Sequence, residues 1–401
     1  MTVVDKRIFT TLFFSLFTAV TGVGIVVPLL PVYAHDIGAG GLYIGLIFGA
    51  FSISRSLFLP YFGRLSDRKG RKPFIVVGLV AYAAVSFAFM LTEDVSGLII
   101  IRFFQGIASA MLMPVCQAYI GDITPKGREG TVMGTFNVAM FSGLTIGPVL
   151  GGLINDRFSL DAAFAAMGFL SVAGFVMSLC FLPAVEKEQV QQRQRPATQW
   201  RHLMTDPSIV ALFSIRWGYA ACIGIIWGFL PVLASSELQL ASAPTGLLVT
   251  LGVMVSGVMH IPIGALADRM SRRVLVIGGS AVIVSAVAAF YWTHSYYGLL
   301  IASMVFGLGG GIAMPAQMAL AVSAGSRLDA MGAVMGVLTL AHSVGMLAGA
   351  VLAGGFMDLF SLRAAFPFGG LLMTASLVLF IVFHKADAPT PTPRPADPEF
   401  I

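Results

Sequence analysis

A chain of 401 residues that is 57% hydrophobic and only 11% charged, with a mean hydropathy of +0.89, has too few polar groups for a surface facing water, where about a quarter of residues are normally charged; lipid must be its solvent. The net charge of +5 sits in short segments beside apolar runs, which points to membrane topology and anionic headgroups and argues against a nucleic-acid partner. Cys116, Cys180 and Cys222 each lie inside an apolar run, which argues against a disulfide framework and metal ligation, and no cofactor is expected.

A membrane-spanning helix needs ~20 apolar residues. Twelve such runs follow one another, over 8–33, 42–63, 73–92, 95–121, 130–155, 161–183, 208–234, 243–266, 274–293, 296–323, 330–357 and 363–384. The first is too long for a signal-peptide core and has no small-residue cleavage site. Arg157 and Arg363 are the cations expected outside, and Arg55, Arg102 and Arg216 lie within runs; the rest of the 24 lysines and arginines fall on the side of both termini. By the positive-inside rule both termini are cytoplasmic. Residues 184–207 are polar and read as a linker between six-helix bundles at 1–183 and 208–387; the Pro-rich tail, 388–401, reads as disordered.

The two bundles repeat one another. Pro31 pairs with Pro231 at an offset of 200; Gly45 with Gly246, Asp67 with Asp268, Gly106 with Gly307 and Pro114 with Pro315 at 201; Gly134 with Gly336, Gly152 with Gly354 and Asp156 with Asp358 at 202. Duplicated halves of this kind bind substrate near the midplane and rock about it.

Between the second and third runs lies a charged stretch, Gly63-Arg64-Leu65-Ser66-Asp67-Arg68-Lys69-Gly70-Arg71-Lys72-Pro73, echoed as Gly264-Ala265-Leu266-Ala267-Asp268-Arg269-Met270-Ser271-Arg272-Arg273. The first copy resembles the loop signature of the major facilitator superfamily, G-x-L-(small)-D-R-x-G-R-(K/R). The resemblance implies an all-α membrane protein with twelve transmembrane helices in two pseudo-symmetric six-helix bundles. It also implies a conformational switch built from Gly63, Asp67, Arg68, Gly70, Arg71, Asp122, Asp268 and Arg272, which latches the cytoplasmic side while the cavity faces outward. Asp67 and Arg71 are within reach of one another if the turn is helical, and a carboxylate here can face a helix N-terminus; a purely topological role for these charges stays open. Ser271 replaces the glycine in the second copy, so a less strict latch is expected there.

Arg102-Phe103-Phe104-Gln105-Gly106 in the fourth run is similar to the R-x-x-Q-G motif assigned to proton coupling in drug antiporters of this superfamily. An arginine inside an apolar run faces the bundle interior or a wet cavity, or snorkels to the headgroups. Gly143, Gly147, Pro148, Gly151 and Gly152 resemble the G-x-x-x-G-P-x-x-G-G signature of exporters; the eleventh run keeps Gly345, Gly349, Gly354 and Gly355 but has Ala350 for the proline. Plain helix packing explains the glycines equally well.

No Asp or Glu sits in the middle of any run; the interior holds Arg55, Arg102 and Arg216 with His260 and His342. Exporters of cationic drugs place a carboxylate in the cavity, so an electropositive cavity for anionic, zwitterionic or neutral amphiphiles is expected here. Arg102, His260 and His342 are the candidates for proton coupling, with His35 and Asp36 at an edge. The family arrangement, in which helices one, four, seven and ten line the cavity, adds Gln105, Met113, Gln117, Tyr219, Trp227, Met314 and Gln317 to Arg55 and Arg216 as candidate substrate-binding residues.

The reading is a multi-pass secondary transporter of the bacterial cytoplasmic (inner) membrane. It is expected to be a monomer whose partners are membrane lipids, protons and a small-molecule substrate. The expected activity is proton-coupled efflux by antiport, of the multidrug-resistance kind, working by alternating access. Alternatives are a symporter or uniporter for an organic anion or metabolite, or, in another class, a channel or a non-transporting receptor. No P-loop, HExxH or GxSxG signature suggests an enzyme.

Overall fold

The computed structural model describes residues 3–124, 129–183, 205–267, 270–328 and 330–384. Among them are twelve helices long and apolar enough to cross a membrane: α1 (Val3–Asp36), α2 (Gly41–Lys69), α3 (Lys72–Phe89), α4 (Val95–Ile123), α5 (Glu129–Arg157), α6 (Leu160–Phe181), α7 (Pro207–Ser236), α8 (Ser242–Ala267), α9 (Arg272–Trp292), α10 (Tyr296–Arg327), α11 (Met331–Leu359) and α12 (Ala365–Phe383). In hydrocarbon every backbone polar group must be satisfied internally, and a helix does this within one segment. The shortest, α3, has 18 residues, about 27 Å at 1.5 Å per residue, which matches the ~30 Å hydrocarbon thickness. The expected linker and tail lie mostly outside the described residues, at 184–204 and 385–401.

Each half packs its first helix against its fifth and sixth, and its second against its fourth. The repeat reaches individual caps. Asp94 accepts from the Gly97 amide (3.0 Å) to start α4, and Ser295, its counterpart at an offset of 201, accepts from the Gly298 amide (3.2 Å) to start α10. It also reaches close helix contacts: Gly106 meets α2 at Phe51 and Ser54, and Gly307 meets α8 at Gly252. Small residues carry these crossings because apolar side chains gain little by leaving lipid for protein, so close backbone approach supplies the attraction.

The halves meet through α2 with α11, α5 with α8, and α1 with α7. Two aspartates tie these pairs at the end of the bundle remote from the basic segments. Asp358, at the end of α11, accepts from the Gly41 and Leu42 amides at the start of α2, at 2.6 and 2.9 Å. Asp156, at the end of α5, accepts from the Ser242 and Ala243 amides at the start of α8, both at 2.8 Å. Each carboxylate satisfies orphan amides of a helix N-terminus in the opposite half and faces the positive end of its dipole. Asn155 adds a hydrogen bond to the Ser242 hydroxyl at 2.7 Å, and Thr250 donates to the Thr145 carbonyl at 2.9 Å.

The basic end is built differently. Arg71 joins Asp67 (2.5 Å) and Asp122 (3.1 Å), and Lys72 donates to the carbonyls of Leu179 (2.9 Å) and Leu182 (2.5 Å) at the end of α6. In the second half Arg273 caps the end of α12 at the Ile381 carbonyl (3.1 Å), and Arg327 pairs with Asp206 (2.9 Å). Each brace stays within one half. Gly63 and Gly264, near the basic ends of α2 and α8, have open space where a side chain would stand, and Leu57 and Tyr61 are 66% and 58% exposed. Among the described residues, the hydrogen bonds that cross between the halves lie toward the far end, and none joins them at the basic end.

Removing both aspartate ties tests this. At about 1 kcal/mol per capped helix end, the double variant Asp156→Ala/Asp358→Ala shifts the balance away from the far-end-closed state about thirtyfold. Spin labels at the exposed Tyr43 and Leu359 positions should then report a longer, broader far-end distance, whereas an unchanged distribution would show that the ties contribute nothing.

Candidate functional site

The charged stretch that the sequence presents as a loop is mainly helix. Residues 63–69 are the last turns of α2, and only Gly70 and Arg71 separate it from α3. Gly70 has φ +90°, a region that side-chain-bearing residues avoid, so this glycine makes the sharp reversal. The helical turn brings Asp67 and Arg71 together, and Arg71 also donates to the Ser66 hydroxyl at 2.8 Å. Asp67, Arg71 and Asp122 thus form one cluster inside the first half, with Arg68 exposed beside it. In the second half Arg272 donates to Ser323 at 2.8 Å, and Ser323 stands at the position equivalent to Asp122. The second cluster accordingly lacks a carboxylate at that place. Asp268 lies outside the described residues.

The α5 motif packs against two neighbours. Gly143, Gly147 and Gly151 receive the backbone of α1 around Phe17, Thr21 and Ile25. Gly152 and the Pro148 carbonyl instead meet α8 at Ser242–Ala243 and Gly246. Pro148 removes one helix donor, at the place where α5 touches both α1 and the opposite half. On α11, Gly345 and Gly349 meet α7 at Trp217 and Ala221, and Ala350 faces Gly45 of α2.

Between the halves lies a cavity of about 490 Å³. Of the residues singled out from the sequence, Arg55, Met113, Gln117, Arg216, Tyr219, Trp227, His260, Met314 and His342 line it. Gln105 and Gln317 do not. Gln105 is buried and accepts from Arg102 of the same helix at 2.6 Å, its Nε2 without a partner, and Gln317 donates to the Leu212 carbonyl of α7 at 2.8 Å. The wall also draws on α2, α3, α5, α8 and α11, beyond the first, fourth, seventh and tenth helices expected: Arg55 comes from α2, Tyr82 from α3, His260 from α8 and His342 from α11.

Arg102 neither snorkels to the lipid nor faces the cavity. It is 3% exposed, and its Nε donates to the Ile47 carbonyl at 3.3 Å. Its guanidinium lies 4.6 Å from the centroid of Phe51, a ring that itself lines the cavity. Arg102 supports the wall from behind, apart from both histidines.

The two cavity arginines are held alike. Arg55 Nη2 donates to the Met113 sulfur at 3.1 Å, and Arg216 Nη1 to the Met314 sulfur at 3.2 Å. Met113 and Met314 are equivalent in the repeat, each preceding a proline inside its helix, Pro114 or Pro315. A thioether is a weak acceptor, and the buried Nε of each arginine has no partner. No Asp or Glu is among the lining residues. His260 is engaged through its Nδ1 with the Ser256 carbonyl (2.5 Å), and its ring lies against Phe141. His342 Nδ1 is buried without a partner. The wall therefore presents two under-coordinated cations and a free imidazole nitrogen among aromatic and methionine surfaces, which suits an amphiphile bearing acceptor oxygens.

The sequence pairs Asp156 with Asp358 in the repeat but assigns them no role. Their repeat offset, together with the helix starts at Gly41 and Ser242, was the available signal. The Met113–Met314 equivalence was likewise present in the repeat.

The family model described as Major Facilitator Superfamily matches residues 12–232 and, again, 212–400. The chain is 28% identical over 385 residues to an uncharacterised MFS-type transporter of Methanocaldococcus jannaschii, covering 95% of this chain and 98% of that one. It is 30% identical to the quinolone resistance protein NorA of Staphylococcus aureus over 217 residues, 53% of this chain and 55% of NorA; the match thus spans about half of each. Among solved structures it shares the fold of the nucleoside transporter NupG (TM-score 0.81, 13% identity, 94% of this chain and 100% of that one). A bacterial homologue of the human lysosomal transporter Spinster, inward-facing and occupied, matches with a TM-score of 0.76 at 13% identity, over 96% of each chain.

The motif glycines make a stability prediction. A Cβ at Gly147 would lie 2.5 Å from the Thr21 carbonyl oxygen, whereas Gly134 and Gly355 have open space. Gly147→Ala should cost about 1–3 kcal/mol and lower the melting temperature in detergent, while Gly134→Ala and Gly355→Ala leave it unchanged or raise it.

Proposed function

This chain belongs to the Major Facilitator Superfamily, and on that footing we propose that it is a proton-coupled secondary transporter that carries a small anionic or neutral amphiphile by alternating access. The observation that carries the substrate reading is the cavity wall: Arg55 and Arg216, each held only by a methionine sulfur, with no carboxylate beside them. Leaving a buried guanidinium so weakly coordinated is costly, and a carboxylate, sulfonate or phosphate offers the strong bidentate acceptor that the protein withholds. Aromatic and thioether groups around it accept a range of apolar bodies.

Alternating access is supported by the asymmetry of the fold. Helix N-termini are tied across the halves at the far end, and among the described residues the Asp67–Arg71–Asp122 cluster makes no hydrogen bond or ion pair to the opposite half. With the basic end cytoplasmic, this is the inward-facing state, and the bacterial inner membrane is the proposed location. The α5 motif and the half-length likeness to NorA support efflux in exchange for protons. The absence of a carboxylate from the lining residues favours the second reading, an organic-anion symporter, because it is a carboxylate that alternately holds a proton and a cationic drug.

The test is binding by the purified protein. Naphthalene-2-sulfonate should bind, and tetraphenylphosphonium should not compete. Arg55→Met and Arg216→Met should each weaken the sulfonate about tenfold or more, as expected for a lost charge-assisted hydrogen bond. Tight binding of the permanent cation with none of the sulfonate overturns the reading.

A further inference from the structure

The groups lining the cavity also bear on the sign of proton coupling. In a carrier that exchanges protons for cations, both ligands compete for one carboxylate, so each drives the other off. Here the lining residues include no carboxylate. Of the two lining histidines, His260 is tied to its own helix through the Ser256 carbonyl, while His342 keeps a buried Nδ1 without a partner. The groups facing His342 can be named helix by helix. From α2 comes Arg55, and from α7 Arg216 and Tyr219, all lining the same cavity as His342. On α10 the cavity face offers Ser303, Phe306 and Met314, its titratable residues being at its ends, and α12 has no titratable residue. Tyr82 of α3 lines the same space.

We infer that His342 is the proton site of this carrier and that proton and organic anion bind together and cross in the same direction, as symport. The inference rests on the anionic reading of the cavity. An anion seated on Arg55 and Arg216 attracts the imidazolium of His342 and offsets the repulsion it meets from them. Binding free energies are reciprocal, so the proton strengthens anion binding by the same factor. Arg55 belongs to the first half and Arg216 to the second. Without the anion, their like charges resist approach of the two walls; with it, that resistance falls. The loaded carrier closes at its basic end more readily than the empty one, and the two ligands cross as a neutral pair when the anion bears a single charge. No bond is made or broken; one proton joins one imidazole nitrogen and leaves on the other side.

Calorimetry with the purified full-length protein and naphthalene-2-sulfonate separates the alternatives. The sulfonate stays ionised across the range, so any pH dependence belongs to the protein. Repeating the titration in buffers of different ionisation enthalpy counts protons. We expect uptake of up to one proton per anion and an affinity that tightens as pH falls from 8 to 6, by at most about tenfold per pH unit. His342→Gln should abolish uptake and flatten the pH profile, and His260→Gln should preserve both. In vesicles containing the wild-type protein, an inward sulfonate gradient should acidify the lumen, a readout that stands whether or not the His342 variant folds. Proton release on binding, lumen alkalinisation, no proton movement, or uptake that survives His342→Gln overturns the inference while leaving the anionic cavity in place. Failure of the wild-type protein to bind the sulfonate overturns that reading and the coupling with it.

Discussion

Inside a membrane, two bundles of apolar helices gain little by burying apolar surface against one another, because lipid solvates that surface as well as protein does. What holds the halves of this molecule together has to be something lipid cannot supply. Here it is the pairing of Asp156 and Asp358 with the unsatisfied amides that begin α8 and α2. These contacts are polar, directional and made at one end only. Below them, glycines such as Gly45 and Gly246 let the backbones of α2 and α11, and of α5 and α8, come close enough for dispersion to act. With the far end tied in this way, the described residues at the basic end make no such hydrogen bonds across the halves.

The same device is available at the basic end. Asp67 carries an uncommitted face, with its side chain 54% exposed even while paired to Arg71. Carboxylates at helix ends thus recur on both sides of the molecule, engaged across the halves on one and confined within a half on the other. A carrier that alternates needs such exchangeable contacts, each worth a few times thermal energy. A large apolar seam would be too stable to open and, in lipid, too weakly driven to specify one closed state.

The cavity shows a second economy. Its wall carries positive charge without a protein counter-charge, and the repeat supplies each arginine with the same soft partner, Met113 or Met314. The arginines themselves break the symmetry. Ser256 stands where Arg55 would repeat, and Leu16 where Arg216 would. A pseudo-symmetric scaffold has acquired an asymmetric set of charges, and the asymmetry lies where the ligand would sit.

Much of this was legible in the chain itself. Apolar run length determined twelve helices, because hydrocarbon allows no other way to satisfy a single crossing backbone. The repeat offsets determined two equivalent halves, and the absence of Asp and Glu from run centres accords with the lack of a carboxylate among the described lining residues. Local pattern could not decide direction or partnership. That Gln105 and Gln317 stand outside the cavity, that Arg102 stands behind Phe51, and that α2, α8 and α11 contribute Arg55, His260 and His342 to the wall depend on how each helix is rotated. In helices apolar on every side, the sequence leaves that rotation unmarked. Tertiary structure alone decided that Asp156 and Asp358 reach across to the opposite half, because an amide at the start of a helix chooses its acceptor by proximity in space.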